Sequence, residues 1–115
     1  MSTIEIPRAE WPEFFHRFNA LHGGWRCTLE VLGERLGAQL QSTGLPLAGI
    51  DADDAKHTRI TLALGTRADA HLTHVIEAPE HVWILRDDHD EDEVIQIETA
   101  DLRTLLRLHP QAAGA

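Results

Sequence analysis

The hydrophobic period of this chain changes once, at Gly23-Gly24, and that change limits the fold more than any other feature. Before it, apolar residues fall at Trp11, Phe14, Phe15, Phe18 and Leu21, the i, i+3, i+4, i+7 spacing of one helical face. Pro12 falls in the first turn of such a helix, where a missing N–H costs nothing. The glycine pair can supply the left-handed residue that ends it. The pattern predicts a helix over about 9–22 whose aromatic stripe is pressed against something apolar. After Gly24 the period becomes two: Trp25, Cys27, Leu29 and Val31 alternate with Arg26, Thr28 and Glu30, as on a half-buried strand.

Short strand candidates then recur with turns between them. They are Leu36–Gln41, Leu45–Ile50, Ile60–Leu64, His71–Glu77, Val82–Arg86, Val94–Thr99 and Leu102–His109. Thr43-Gly44 reads as a turn, and Pro46 would put its strand at a sheet edge because proline cannot donate to a ladder. Asp51–Lys56 and Asp87–Glu93 read as acidic loops, Gly65–Asp69 as a turn, and Ala100-Asp101 as the joint of a closing hairpin. No second helical pattern follows, which argues against a parallel βαβ sheet. The expected class is α+β, mainly β. An N-terminal amphipathic helix packs on an antiparallel sheet, or a small barrel, of about seven or eight short strands. A chain of 115 residues suits one domain, with a β-rich part over about 25–109 and a flexible tail over 110–115.

Charge removes some functions from consideration. Asp and Glu number 19 against 10 Lys and Arg, a net charge of −9, and the arginines are scattered. Such a surface repels phosphate backbones and anionic lipids, so no nucleic-acid or membrane partner is expected. Cys27 is the only cysteine, so no intrachain disulfide can form, which fits a cytoplasmic location. The N-terminus lacks the basic and apolar regions of a signal peptide, and no apolar run reaches the length of a membrane span.

The chemistry-bearing residues are sparse. Eight histidines invite a metal reading, and Asp69, His71, His74 and His81 are the densest group. On a strand, however, residues 71 and 74 point to opposite faces. They are weak metal candidates, and no cofactor is expected. Asp88, Asp90 and Asp92 start like a calcium loop, but Glu93 stands where that loop needs glycine and Thr99 where it needs glutamate. Cys27 shares a face with Trp25, Leu29 and Val31 and reads as a small hydrophobe. No phosphate-binding, nucleophile-elbow or H-E-x-x-H motif is present.

Three functions remain open on these grounds. One is a non-enzymatic interaction or assembly module, binding an unknown protein or a second copy of itself. The second is a small-ligand domain with a pocket between helix and sheet. The third is an enzyme using His74 with Glu77 or Asp69 as acid and base. The expected interaction surface is His71, His74, Glu77, Pro79 and Trp83, with tryptophan the natural anchor.

Ile6-Pro7 with Glu10-Trp11, Gly24-Trp25 with Glu30-Val31, and Leu45-Pro46-Leu47 with Gly49-Ile50 form a recognisable series. His71-Leu72-Thr73-His74-Val75-Ile76-Glu77-Ala78-Pro79 and the last hairpin continue it. On these the chain resembles an uncharacterised bacterial family, the domain of unknown function 5335, over nearly its whole length. The resemblance implies a bacterial, cytoplasmic, free-standing domain and no particular activity.

Overall fold

The computed structural model describes residues 2–33, 37–52, 56, 58–67, 70–89 and 91–109. The tail over 110–115 lies outside them. The helical stripe becomes α1 (Trp11–His22), entered through a 3-10 turn at Arg8–Glu10 with Pro12 in its first turn. Trp11, Phe14, Phe15 and Phe18 are buried as the spacing predicts. The fifth inward position is a correction: Leu21 is 69% exposed and His22 only 6%. At about 100° per residue, position 22 returns to within about 20° of Trp11 whereas position 21 lies about 80° away. Both residues continue the 3.6 period, and polarity alone favours the wrong one. Gly24, at φ 88, supplies the left-handed residue that turns the chain into the sheet.

Eight antiparallel strands follow the order β1-β6-β7-β8-β2-β3-β4-β5. Their ranges are β1 Ser2–Ile6, β2 Arg26–Gly33, β3 Gly37–Ala52, β4 Arg59–Arg67, β5 Ala70–Glu77, β6 His81–Arg86, β7 Asp92–Glu98 and β8 Leu102–His109. β1 carries no warning in the sequence, being short and interrupted by Glu5. It forms because Ile4 and Ile6 pair opposite Ile84 and Val82 on β6.

β3 is the other departure. The predicted runs on either side of Thr43-Gly44 are one strand of 16 residues. Gly44, at φ 85, is absorbed as a bulge between the Cys27–Leu45 and Thr28–Thr43 pairs. Nor does Pro46 mark an outer strand. β3 pairs with β2 up to Pro46 and with β4 from Leu47 onward. Proline stands where one ladder hands over to the other, so its missing N–H interrupts nothing. Leu47 completes the exchange, donating to the Trp25 carbonyl at 2.7 Å and accepting from the Gly24 N–H at 2.8 Å.

The handover lets the sheet curl round α1. Residues 78–80 alone join β5, the last strand in the order, to β6, the second. Four chain steps span at most about 14 Å, so the two ends of the sheet approach each other. No ladder joins β5 to β1, and the sheet is not closed into a barrel. Ala78 takes φ 52, an uncommon value for a side-chain-bearing residue, and its N–H reaches the Thr58 carbonyl at 2.9 Å. Arg8 donates to the Pro79 carbonyl at 2.8 Å and lies 4.5 Å from the Trp11 ring centre. The start of the helix is thereby tied to the link.

One core results. Trp11, Phe15 and Phe18 pack with Leu29, Leu47, Ile50, Leu62, Ile84, Ile95 and Leu106, drawn from both halves of the sheet. Asn19 adds a polar clamp. Its amide donates to the Ile50 carbonyl and accepts from the Ile50 N–H, both at 2.9 Å, so the helix borrows a ladder position from β3. Gly65, at φ 78, sits so close to β5 that a Cβ would lie 2.1 Å from the Ala70 carbonyl oxygen. Only glycine fits there.

Candidate interaction surface

With α1 on the concave face, the opposite face of the sheet is the surface to examine. Directly opposed antiparallel residues share a face. The register therefore lays out one cross-strand row from Glu5 through Trp83, Gln96, Leu105 and Glu30 to Leu40. A second row runs from Thr3 through Leu85, Val94, Arg107 and Thr28 to Thr43. Val94 is only 4% exposed although no helix lies over it. Its flat neighbours Leu85 and Trp83 are themselves half-buried. Together they form an apolar centre with a polar rim, the make-up of a binding patch.

Trp83 is the least satisfied member. Its Nε1 is out of solvent and has no hydrogen-bond partner among the described residues. A buried donor in that state costs on the order of 1–3 kcal/mol. Beside it, His81 Nδ1 meets Glu5 Oε2 at 2.7 Å. This hydrogen bond, more than the nearby charges of Glu5, Glu98 and Glu80, raises the proton affinity of His81 above its usual range. Gln96 donates to Glu98 at 2.6 Å, closing the rim on the β7 side.

The other residues expected at this surface are dispersed. His71 and Glu77 are exposed on β5. Glu77 is held by Arg59 at 2.9 Å, and His71 Nδ1 donates to the Arg67 carbonyl at 3.1 Å. His74 lies on the opposite face of β5, in line with Leu72 and Ile76 and across from Leu62. Half-burial there lowers its proton affinity. Histidines 71 and 74 are thus on different faces, as the strand period requires, and His74 does not share a face with Glu77. Asp69 lies outside the described residues. Pro79 is buried in the link, where its carbonyl serves Arg8. Among the described residues no group of three or more His, Cys, Asp or Glu is placed to hold a metal.

The acidic loop is organised by its first carboxylate. Asp87 Oδ1 accepts from the N–H groups of His89 at 2.8 Å and Glu91 at 3.0 Å. Those bonds, with Glu91 the larger cause, stabilise the carboxylate and hold its pKa below the usual range. Asp90 lies outside the described residues, and Asp92 turns away from the loop towards Arg86, at 2.8 Å.

Asp92 belongs to a cluster with no motif to announce it. His22 Nδ1 donates to the Phe18 carbonyl at 3.1 Å, and its Nε2 lies 3.7 Å from Asp92 Oδ2, beyond hydrogen-bond length. The imidazole stacks on Phe18 at 4.2 Å and meets the edge of Trp25 at 4.8 Å. A cleft of about 230 Å³ between helix and sheet opens beside it, lined by Phe14, Arg17, Phe18, Leu21, Arg86 and Asp92. That lies below the roughly 300 Å³ at which sites for drug-sized ligands begin. Cys27, the chain's one cysteine, is fully buried, and desolvation pushes its thiol up to about 11. A thiol in that state stays protonated and inert at neutral pH.

The comparisons with curated proteins and with solved structures each give no match. The model of a family of unknown function, DUF5335, matches residues 2–114, and the chain belongs to that family.

Proposed function

We propose that this domain is a non-enzymatic interaction module of the bacterial cytoplasm, and that it binds a protein partner through the sheet face opposite α1. The observation that carries this reading is Trp83, half-buried at the centre of an apolar patch with an indole N–H that no described group satisfies. The half-buried ring of Trp83 and the Leu85 side chain beside it would receive apolar side chains of the partner. Tryptophan in such a setting is the residue type that dominates binding energy. The charge balance of −9 favours a protein over a nucleic acid or an anionic membrane.

The test is photo-crosslinking in living bacteria, with a benzophenone amino acid at position 85 and, as control, at position 73 on the exposed side of β5. Position 85 is expected to give a discrete adduct that Trp83→Ala abolishes, and position 73 none. Equal labelling from both positions, or an adduct from 73 alone, would place the contact elsewhere.

A further inference from the structure

Leu21 continues the apolar stripe of α1, yet it is the most exposed large apolar side chain among the described residues, at 69%. It borders the cleft of about 230 Å³ between helix and sheet. The lining of that cleft is half apolar, from Phe14, Phe18 and Leu21, and half charged, from Arg17, Arg86 and Asp92. A space of that size takes a small molecule and excludes a drug-sized one.

The charged half is not self-contained. Arg17 is exposed and has no hydrogen bond or ion pair among the described residues. Glu13, one turn earlier on α1 and at the spacing of a common helical ion pair, forms none with it. Arg86 donates to Asp92 Oδ1 through Nε alone, at 2.8 Å, and no described residue engages its two terminal nitrogens. The other oxygen of Asp92 faces His22 Nε2 at 3.7 Å. Arg86 thus balances Asp92, and Arg17 remains as one positive charge in excess, in a chain whose net charge is −9. A guanidinium with unused N–H groups matches a carboxylate in both charge and shape.

We infer that this cleft binds a small organic monocarboxylate. Its carboxylate meets Arg17 and the unused terminal nitrogens of Arg86, and its hydrocarbon body lies against Phe14, Phe18 and Leu21. One negative charge balances the one positive charge in excess. The hydrocarbon takes Leu21 out of water, which the fold alone does not do. Each other class of ligand leaves part of the lining unmatched. A neutral molecule does not answer Arg17, a cation meets two guanidinium groups, and inorganic phosphate has nothing to set against the apolar half. The cleft lies on the helix side of the sheet, so this site and the outer-face contact stand or fall separately.

Phenylacetate, titrated into the isotope-labelled full chain and followed by amide NMR shifts, is the probe. It is expected to saturate with a dissociation constant on the order of 1 mM, the scale for a ligand of so few atoms. The amides of Phe18, Leu21 and Asp92 are expected to move. Phenylacetamide, the same shape without the charge, is expected to bind at least about tenfold more weakly, the worth of one charge-assisted hydrogen bond. Inorganic phosphate is expected to leave Leu21 unmoved. Arg17→Gln, at an exposed position that leaves the core intact, is expected to remove the preference for the acid over the amide. Shifts that never saturate, equal affinity for acid and amide, or a preference that survives Arg17→Gln would overturn the inference. Phosphate shifts that match those of phenylacetate would do the same, by showing an anion contact without the apolar half.

Discussion

The two faces of this sheet use large apolar residues for opposite ends. On the concave face Phe15 and Phe18 are at most 2% exposed, every ring has neighbours, and Asn19 is paired on both sides of its amide. On the convex face Trp83 is half-buried, and its N–H has no partner among the described residues. Burial with satisfied polar groups is what stability requires. Burial with an unsatisfied donor is tolerated where something other than stability is served. The difference teaches where to look for function in a domain without a catalytic motif.

Substitutions on the two faces should separate accordingly. Phe18→Ala is expected to cost about 3–5 kcal/mol in denaturant unfolding, as buried aromatics do. A loss below about 1 kcal/mol, the size of an ordinary surface change, would make α1 peripheral and erase the contrast. Asn19→Ala is expected to cost on the order of 1–3 kcal/mol, because it leaves both Ile50 backbone groups without their partner. Trp83→Phe, which removes the unpaired N–H and keeps an aromatic ring, is expected to change stability by less than about 1 kcal/mol.

The two faces also carry histidines of opposite sign. Desolvation lowers the proton affinity of His74 on the inner side, so the folded state takes up its proton less readily than the unfolded one. The stability tied to it is present above the ordinary value of 6.5 and is lost as pH falls through the lower folded value. The Glu5 bond raises His81 on the outer side. Its contribution is complete below 6.5 and is lost as pH rises through the raised folded value. Unfolding measured across this range should therefore show a weaker acid loss in His74→Leu and a weaker loss on the alkaline side in His81→Gln. The smallest effect is chemical: Cys27 should resist alkylation at neutral pH until the protein unfolds, and rapid labelling of the native chain would contradict its burial.

The helix was legible because its apolar stripe repeats through three turns, and β2, β4 and β6 because their alternation survives end to end. What escaped has physical causes. Leu21 and His22 both continue the helical period, and only the location of the sheet decides between them. Gly44 and Pro46 carry the chemistry of a turn, yet tertiary pairing on both sides turns one into a bulge and the other into a handover between ladders. β1 is formed by its partner β6 rather than by its own pattern. The sequence names Trp83 for an interaction surface, but its neighbours on that face, Leu85, Val94, Gln96 and Leu105, depend on register, which sequence period does not give. His22, Arg86 and Asp92 are brought together from residues up to 70 positions apart, with no local signal.

The division between the faces is tested most directly by Trp83→Ala, read for stability and for the crosslinked adduct at position 85 in the same protein. The expected result is a stability loss well under half that of Phe18→Ala, with the adduct gone. A stability loss equal to that of Phe18→Ala, or an adduct that persists, would contradict it.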